Sequence, residues 1–149
     1  WTKFWNAPLK PERPLTPDFV KALIATETSF LILPDTSSKI GAARGPIQIT
    51  EATRKILRNP KGELSDHLID LTVEDSRETE PNIAAGIRWL YHKRYLLEHR
   101  IKREASWEEV AAEYKGIFRQ IGKDKRTNRI MTDLIHFHDL LKEKRGSLK

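Results

Sequence analysis

No cysteine occurs among the 149 residues of this chain. Its absence excludes disulfide bridges, zinc sites built on thiolates and cysteine nucleophiles. A chain of this length can bury enough apolar surface to fold without disulfides, so the absence does not indicate a cellular compartment.

Long hydrophobic runs are also missing, since the longest apolar stretch is only a few residues. This excludes a transmembrane helix, and no apolar run follows a basic start as it would in a secretory signal. The length suits one domain. The start at Trp1 rather than Met is typical of a fragment or a mature form, and we expect a larger parent protein.

Acidic residues are outnumbered, with 21 Asp and Glu against 27 Lys and Arg, a formal charge of +6. A basic chain favours an anionic partner. Nucleic acid, an anionic membrane surface and an acidic cell-wall polymer all fit this charge, and charge alone does not choose among them.

Proline is concentrated in residues 1–17, which we interpret as an arm or linker end preceding a domain over 18–149. Four of the eight prolines lie in this stretch, together with three large aromatic residues: Pro8, Pro11, Pro14, Pro17, Trp1, Phe4 and Trp5. This density of proline predicts an extended arm. We expect its aromatic rings to dock on the body of the protein, because such rings usually find cover.

Residues 18–149 carry helical signals and no convincing strand alternation, so the predicted class is all-α. Thr16 followed by Pro17 predicts the start of a first helix, Thr50 predicts a short one, and Ser106 opens a capping box. The predicted spans are 17 to about 30, 51–57, 81–103, a helix from 106, and 124–145. The helix over 81–103 is expected to have a buried stripe, formed by Ile83, Ile87, Leu90, Leu97 and Ile101. The last helix is expected to bury Ile130, Leu134, Phe137 and Leu141 and to end at Gly146.

Glu27 is the most informative residue of the first helix. With Val20, Leu23 and Ile24 it occupies positions i, i+3, i+4 and i+7, which lie on one face. Burial and the negative end of a helix both raise the pKa of a carboxyl group. A carboxylic acid that is protonated near neutral pH is what a general acid requires. The alternative is an ordinary Glu at a fraying helix end, exposed to solvent or paired with Arg44.

A glycine-bracketed turn follows, from Gly41 through Gly45 to Thr50. Gln48 lies in it between Ile47 and Ile49. Because buried amides are hydrogen-bonded, Gln48 either ties down the loop or faces a ligand.

Four sequence blocks in this order resemble the soluble lytic transglycosylases, which share the goose-type lysozyme fold. They cover residues 18–116, about two thirds of the chain. The blocks are Glu27-Thr-Ser-Phe30 followed by Ser38; Gly41-Ala-Ala-Arg-Gly-Pro-Ile-Gln-Ile49; Glu80-Pro-Asn-Ile-Ala-Ala-Gly-Ile-Arg-Trp-Leu90; and Ala111-Ala-Glu-Tyr-Lys-Gly116. The stretch from Arg44 to Ile49 also looks like a segment of plant-type chitinases.

The resemblance implies a lysozyme-like helical domain that cleaves the β-1,4 bond between N-acetylmuramic acid and N-acetylglucosamine. Glu27 matches the catalytic acid and base. Ser38 and Gln48 match residues of the sugar-binding groove, Thr50 stands where many members have a groove-lining Met, and Tyr114 matches a tyrosine bordering the active site. Asn82 matches an asparagine that we interpret as structural.

The sequence departs from the family pattern by substitutions at three places, by extra residues between Glu27 and Gly41, and by one extra residue between Gly41 and Gly45. Thr28 replaces the Ser that follows the catalytic Glu, Pro46-Ile47 replaces Leu-Met, and Lys115 replaces the Asn after the tyrosine. These changes bear on how substrate is held and on which product forms.

Glycosidases ordinarily use two carboxylates, whereas the resemblance implies a single one. In that scheme Glu27 protonates the leaving oxygen and then acts as base while the muramic acid 6-hydroxyl closes a 1,6-anhydro ring. A hydrolytic relative requires a second carboxylate, for which Asp35, Glu51 and Glu80 are the candidates. No cofactor or metal is expected.

The expected partner is the peptidoglycan glycan strand, whose stem-peptide carboxylates suit a basic rim containing Lys115, Arg44 or Arg88. We expect action in the periplasm or outside the cell, as part of a larger effector, phage or secretion-system protein. An antibacterial effector implies an immunity protein that plugs the groove. We expect no membrane insertion and no nucleic-acid partner. The alternative function is a basic helical module that binds nucleic acid, or an inactive scaffold.

Overall fold

The computed structural model describes residues 1–31, 34–35 and 41–147. The elements in chain order are α1 (Thr2–Leu9), α2 (Pro17–Thr28), β1 (Ala43–Arg44), β2 (Ile49–Thr50), α3 (Glu51–Leu57), α4 (Thr79–Ile101), α5 (Trp107–Tyr114) and α6 (Lys125–Ser147). Short 3-10 turns occupy Ser65–His67 and Phe118–Gln120. Of the residues that the structure describes, 62% are helical, which agrees with the all-α class.

The predicted helix starts are confirmed by their caps. The Thr16 hydroxyl accepts a hydrogen bond from the backbone of Phe19, and Thr50 accepts one from Thr53. Ser106 forms a complete capping box with Glu109. These side chains satisfy backbone N–H groups that have no partner within the helix, which is why the local sequence predicts them well.

The N-terminal segment is not wholly extended, and that prediction is wrong for residues 2–9, which form α1 with Pro8 inside it. Packing outweighs the local cost of the proline. Trp5 is buried in the core, and its indole N–H donates to the Ala84 carbonyl at 3.0 Å. The Asn6 side chain bonds both backbone groups of Leu15 and so folds the following segment back onto the helix.

Helix α4 lies at the centre of the core. It packs against α5, α1 and α3, while α2 packs along α6. Ile87, Leu90 and Leu97 form its buried stripe, as predicted. Trp89 and Trp107 are core residues with under a tenth of their surface exposed.

Helix α6 differs from its prediction at both its end and its buried face. It continues through Gly146 to Ser147, so Gly146 is not its C-cap. The buried face contains Met131, Leu134 and His138, whereas Phe137 is 38% exposed. The contact with α2 selects this face, which lies one residue position away from the predicted stripe. None of the described helices is long and apolar enough to cross a membrane.

Candidate functional site

Glu27 lies in the last turn of α2 and follows the buried residues Val20, Leu23 and Ile24 along the helix. Its side chain is 18% exposed. The carboxylate oxygen Oε1 accepts a hydrogen bond from the Lys115 ammonium at 2.5 Å. Glu27 therefore lies at the edge of the core, in an ion pair with Lys115.

The turn that follows α2 is a tight hairpin, although the sequence showed no strand there. Ala43 pairs with Thr50, and Arg44 pairs with Ile49. At Gly45 φ is +69°, and a Cβ there would lie 2.3 Å from the side-chain carbon of Asn82, so the position requires glycine.

Gln48 closes this turn in a left-handed conformation, with φ at +57°. Its backbone N–H and its side-chain Nε2 both donate to the Gly45 carbonyl, at 3.1 and 2.9 Å. Of the two interpretations from sequence, the loop tie is thus present in the structure. The same side chain also lines a groove.

Three side chains from three helices hold the hairpin in place. The Thr28 hydroxyl donates to the Pro46 carbonyl at 3.2 Å, and the Tyr114 hydroxyl donates to the Ile47 carbonyl at 2.6 Å. Asn82 is fully buried; its oxygen accepts from the Ile47 N–H at 3.0 Å and its amide donates to the Arg44 and Ser76 carbonyls. The structural interpretation of Asn82 is confirmed.

Tyr114 remains a neutral hydrogen-bond donor over a wide pH range. Burial raises the pKa of Tyr114 well above its ordinary value, and the charge of Glu27 raises it further. The phenol therefore keeps its proton and its bond to the hairpin, close to the Glu27 carboxylate.

A groove of about 740 Å³ runs between α2, the hairpin, α5 and the start of α6. Glu27, Gln48, Thr50 and Tyr114 all line it. The Thr50 hydroxyl is already engaged as the cap of α3 and with Thr53. Ser38, the remaining predicted groove residue, lies outside the described residues.

The sequence did not identify three further residues that line the groove, namely Gln120, Asp124 and Arg126. Asp124 immediately precedes α6, and its side-chain oxygen accepts a hydrogen bond from the backbone N–H of Thr127 at 2.9 Å. No local signal in the sequence places Asp124 in the same groove as Glu27. The charged side chains lining the groove are two acidic and two basic, so the excess positive charge of the chain is not concentrated there.

The candidate second carboxylates are engaged elsewhere. Asp35 forms ion pairs with Arg77 and Arg44, whose hydrogen bonds hold the pKa of Asp35 below its ordinary value. Glu51 pairs with Arg54 and Arg44, and these bonds lower the pKa of Glu51 to about 2.

Glu80 lines a different groove, beside Trp1 and Phe4. Arg88 is buried against Trp5 and paired with Asp66. It therefore lies away from the rim that was expected to attract an anionic polymer.

Comparisons with protein families, with curated proteins and with solved structures gave no match for this chain.

Proposed function

We propose that this domain cleaves the β-1,4 bond between N-acetylmuramic acid and N-acetylglucosamine in peptidoglycan, with Glu27 as general acid and base. The observation that carries the proposal is the shared groove. Glu27, Gln48 and Tyr114 are far apart in the sequence, and they line one cleft together with Thr50. Its volume lies within the range usual for ligand sites.

The anchoring of Glu27 on α2 supports a role in glycoside cleavage by a single carboxylate. A general acid must reach the leaving oxygen and be fixed in place. Glu27 is anchored on a rigid helix whose end is tied to the hairpin through Thr28. Asp35 and Glu51, which could have served as a second carboxylate, are neutralised by arginines. This favours ring closure by the substrate's own 6-hydroxyl.

The proposal extends to the fold family and the biological setting. The lysozyme-like domain would comprise 18–149 and belong with the soluble lytic transglycosylases. It would act on glycan strands in the periplasm or outside the cell, as part of a larger antibacterial effector, phage or secretion-system protein. An immunity protein would inhibit it by occupying the groove.

Asp124 is the other carboxylate that lines the groove within the described part of the chain. It is the residue to test for water activation. Asp124→Asn is a sharp variant, because Asn caps a helix as well as Asp does while removing the charge.

The test is mass spectrometry of the soluble products released from peptidoglycan sacculi. Wild type is expected to release anhydro-muropeptides, Glu27→Gln none, and Asp124→Asn the same products as wild type. Glu80→Gln, in a separate groove, is the matched control. Products heavier by one water, lost in Asp124→Asn, would indicate hydrolysis by two carboxylates. Activity that survives in Glu27→Gln would refute the proposed mechanism.

A further inference from the structure

The Lys115 ammonium is the partner of the proposed catalytic carboxylate. Nζ lies 2.5 Å from Glu27 Oε1, and the two side chains are 9% and 18% exposed. Hydrogen bonds between two ionised groups of this kind are among the stronger ones in proteins. Partial burial also shields the pair from screening by salt.

The end of α5 places Lys115 at this position. Its backbone N–H bonds the Ala111 carbonyl at 2.9 Å as the helix C-cap, and Gly116 then turns the chain away with φ at +70°. Tyr114, one residue earlier, is bonded to the hairpin. Within the described part of the chain, Glu27 is the only carboxylate that forms a salt bridge with Lys115.

This ion pair conflicts with the first step of the proposed reaction. A carboxylate that accepts a hydrogen bond from an ammonium is in its ionised form, and a general acid needs the protonated form. Some event must therefore separate the ammonium from Glu27 before the leaving oxygen can be protonated. The structure offers the substrate as the agent, because both side chains line the open groove.

We propose that Lys115 is a positioning residue that senses anionic substrate: its ammonium holds Glu27 before substrate binds and then moves to a carboxylate of the bound glycan. Glu27 then takes up one proton from solvent and is ready to act as acid, while Lys115 keeps its own protons throughout. This inference rests on the proposed function, since it concerns the regulation of the same site.

The charges of the groove favour this exchange. Glu27 and Asp124 balance Lys115 and Arg126 in the empty groove. Protonation of Glu27 leaves one net positive charge, which a substrate carboxylate neutralises. The substrate class is therefore a glycan that carries carboxylates, in preference to a neutral polymer of N-acetylglucosamine.

Calorimetric titration in two buffers of different ionisation enthalpy measures proton uptake on binding. The anionic probe is the disaccharide N-acetylglucosamine–N-acetylmuramic acid bearing a tetrapeptide, which lacks the bond to be cleaved. The neutral probe is the N-acetylglucosamine tetramer. The variants are Glu27→Gln, Lys115→Met and Lys115→Arg, with Lys61→Met on an exposed loop as the matched control.

Wild type and Lys61→Met are expected to take up protons when they bind the anionic probe. Neither protein is expected to take up a proton with the neutral probe. Glu27→Gln is expected to take up no proton with the anionic or the neutral probe. Lys115→Met is expected to lose about tenfold in its preference for the anionic probe, as for one charge-assisted hydrogen bond. Lys115→Arg is expected to retain the preference. If Lys115 had only a structural role, its replacement would not change the number of protons taken up on binding.

Binding of the anionic probe without proton uptake, or an unchanged preference in Lys115→Met, would overturn the inference. So would a failure of the anionic probe to bind wild type. Digestion of sacculi is scored separately. Soluble products without proton uptake would leave the cleavage function standing and remove the exchange, whereas proton uptake without products would remove cleavage and support the exchange.

Discussion

Replacement of Asn82 by alanine tests whether the site is held together by tertiary hydrogen bonds. Asn82 is fully buried in α4 and makes three hydrogen bonds: it accepts from Ile47 and donates to the carbonyls of Arg44 and Ser76. Asn82 therefore ties the hairpin that carries Gln48 to the central helix by hydrogen bonds.

The expected loss follows from these contacts. Three hydrogen bonds at about 1 kcal/mol each give about 3 kcal/mol, and the unpaired N–H of Ile47 adds about 1 kcal/mol or more. For a domain of this size, 1 kcal/mol lowers the melting temperature by about 2–4 °C. Together these losses come to about 4 kcal/mol, and we therefore expect Asn82→Ala to lower Tm by about 8–16 °C.

Urea unfolding followed by tryptophan fluorescence, with a thermal melt in parallel, measures this loss. Asn59→Ala is the matched control, because Asn59 is exposed and its oxygen accepts one bond, from the Lys61 backbone. It should cost no more than about 0.5–1 kcal/mol. Asn82→Asp keeps a side-chain oxygen that can accept from the Ile47 N–H, but it loses the amide N–H groups that donate to the Arg44 and Ser76 carbonyls. A midpoint for Asn82→Ala within error of that for Asn59→Ala, at an unchanged slope, would refute the reasoning.

Three further predictions follow from other contacts. Gly86→Ala should destabilise by about 1–3 kcal/mol in urea unfolding, since the new Cβ would lie 2.2 Å from Ile47 Cγ2; an unchanged midpoint would contradict the close packing. Burial lowers the pKa of His138 from its ordinary value of 6.5, so the unfolded chain binds this proton more readily than the folded chain. The free energy of unfolding should therefore be unaffected by His138 above pH 6.5 and should fall as the pH drops below that value. His138→Phe should flatten that part of the stability profile. Hydrogen bonds from Arg54 help to lower the pKa of Glu51 to about 2, so the ion pair stabilises the fold above pH 4.5 and loses this effect as the pH falls towards 2. Glu51→Gln should remove this pH-dependent part of the free energy of unfolding. An unchanged dependence of stability on pH between 4.5 and 2 would show that the pair does not stabilise the fold.

The sequence by itself determined the helices whose signals are local. Thr16, Thr50 and Ser106 cap the helices they were predicted to cap, because a cap is a contact between residues three positions apart. The buried stripe of α4 was readable for a similar reason: its period of 3.6 residues is a property of one helix. The position of Glu27 next to an apolar face also followed from that period.

Long-range packing decided the remaining features of the fold. Residues 2–9 are helical in spite of Pro8, because Trp5 is buried and bonded to α4. The face of α6 that is buried was fixed by its contact with α2, so His138 lies inside and Phe137 faces outward. Local propensity is a weak term, and contacts between distant segments outweigh it.

The candidate site shows the same division. Gln48 and Tyr114 were selected from the sequence, and both line the groove with Glu27. The Lys115 ion pair and the presence of Asp124 in the same groove as Glu27 depended on how α5 and α6 pack around α2. Chain positions 88 residues apart share a hydrogen bond in this site, and no pattern of residue types along the chain encodes such a distance. The sequence thus determined which side chains could transfer protons or bind a ligand, and the tertiary structure decided which of them lie in the same groove.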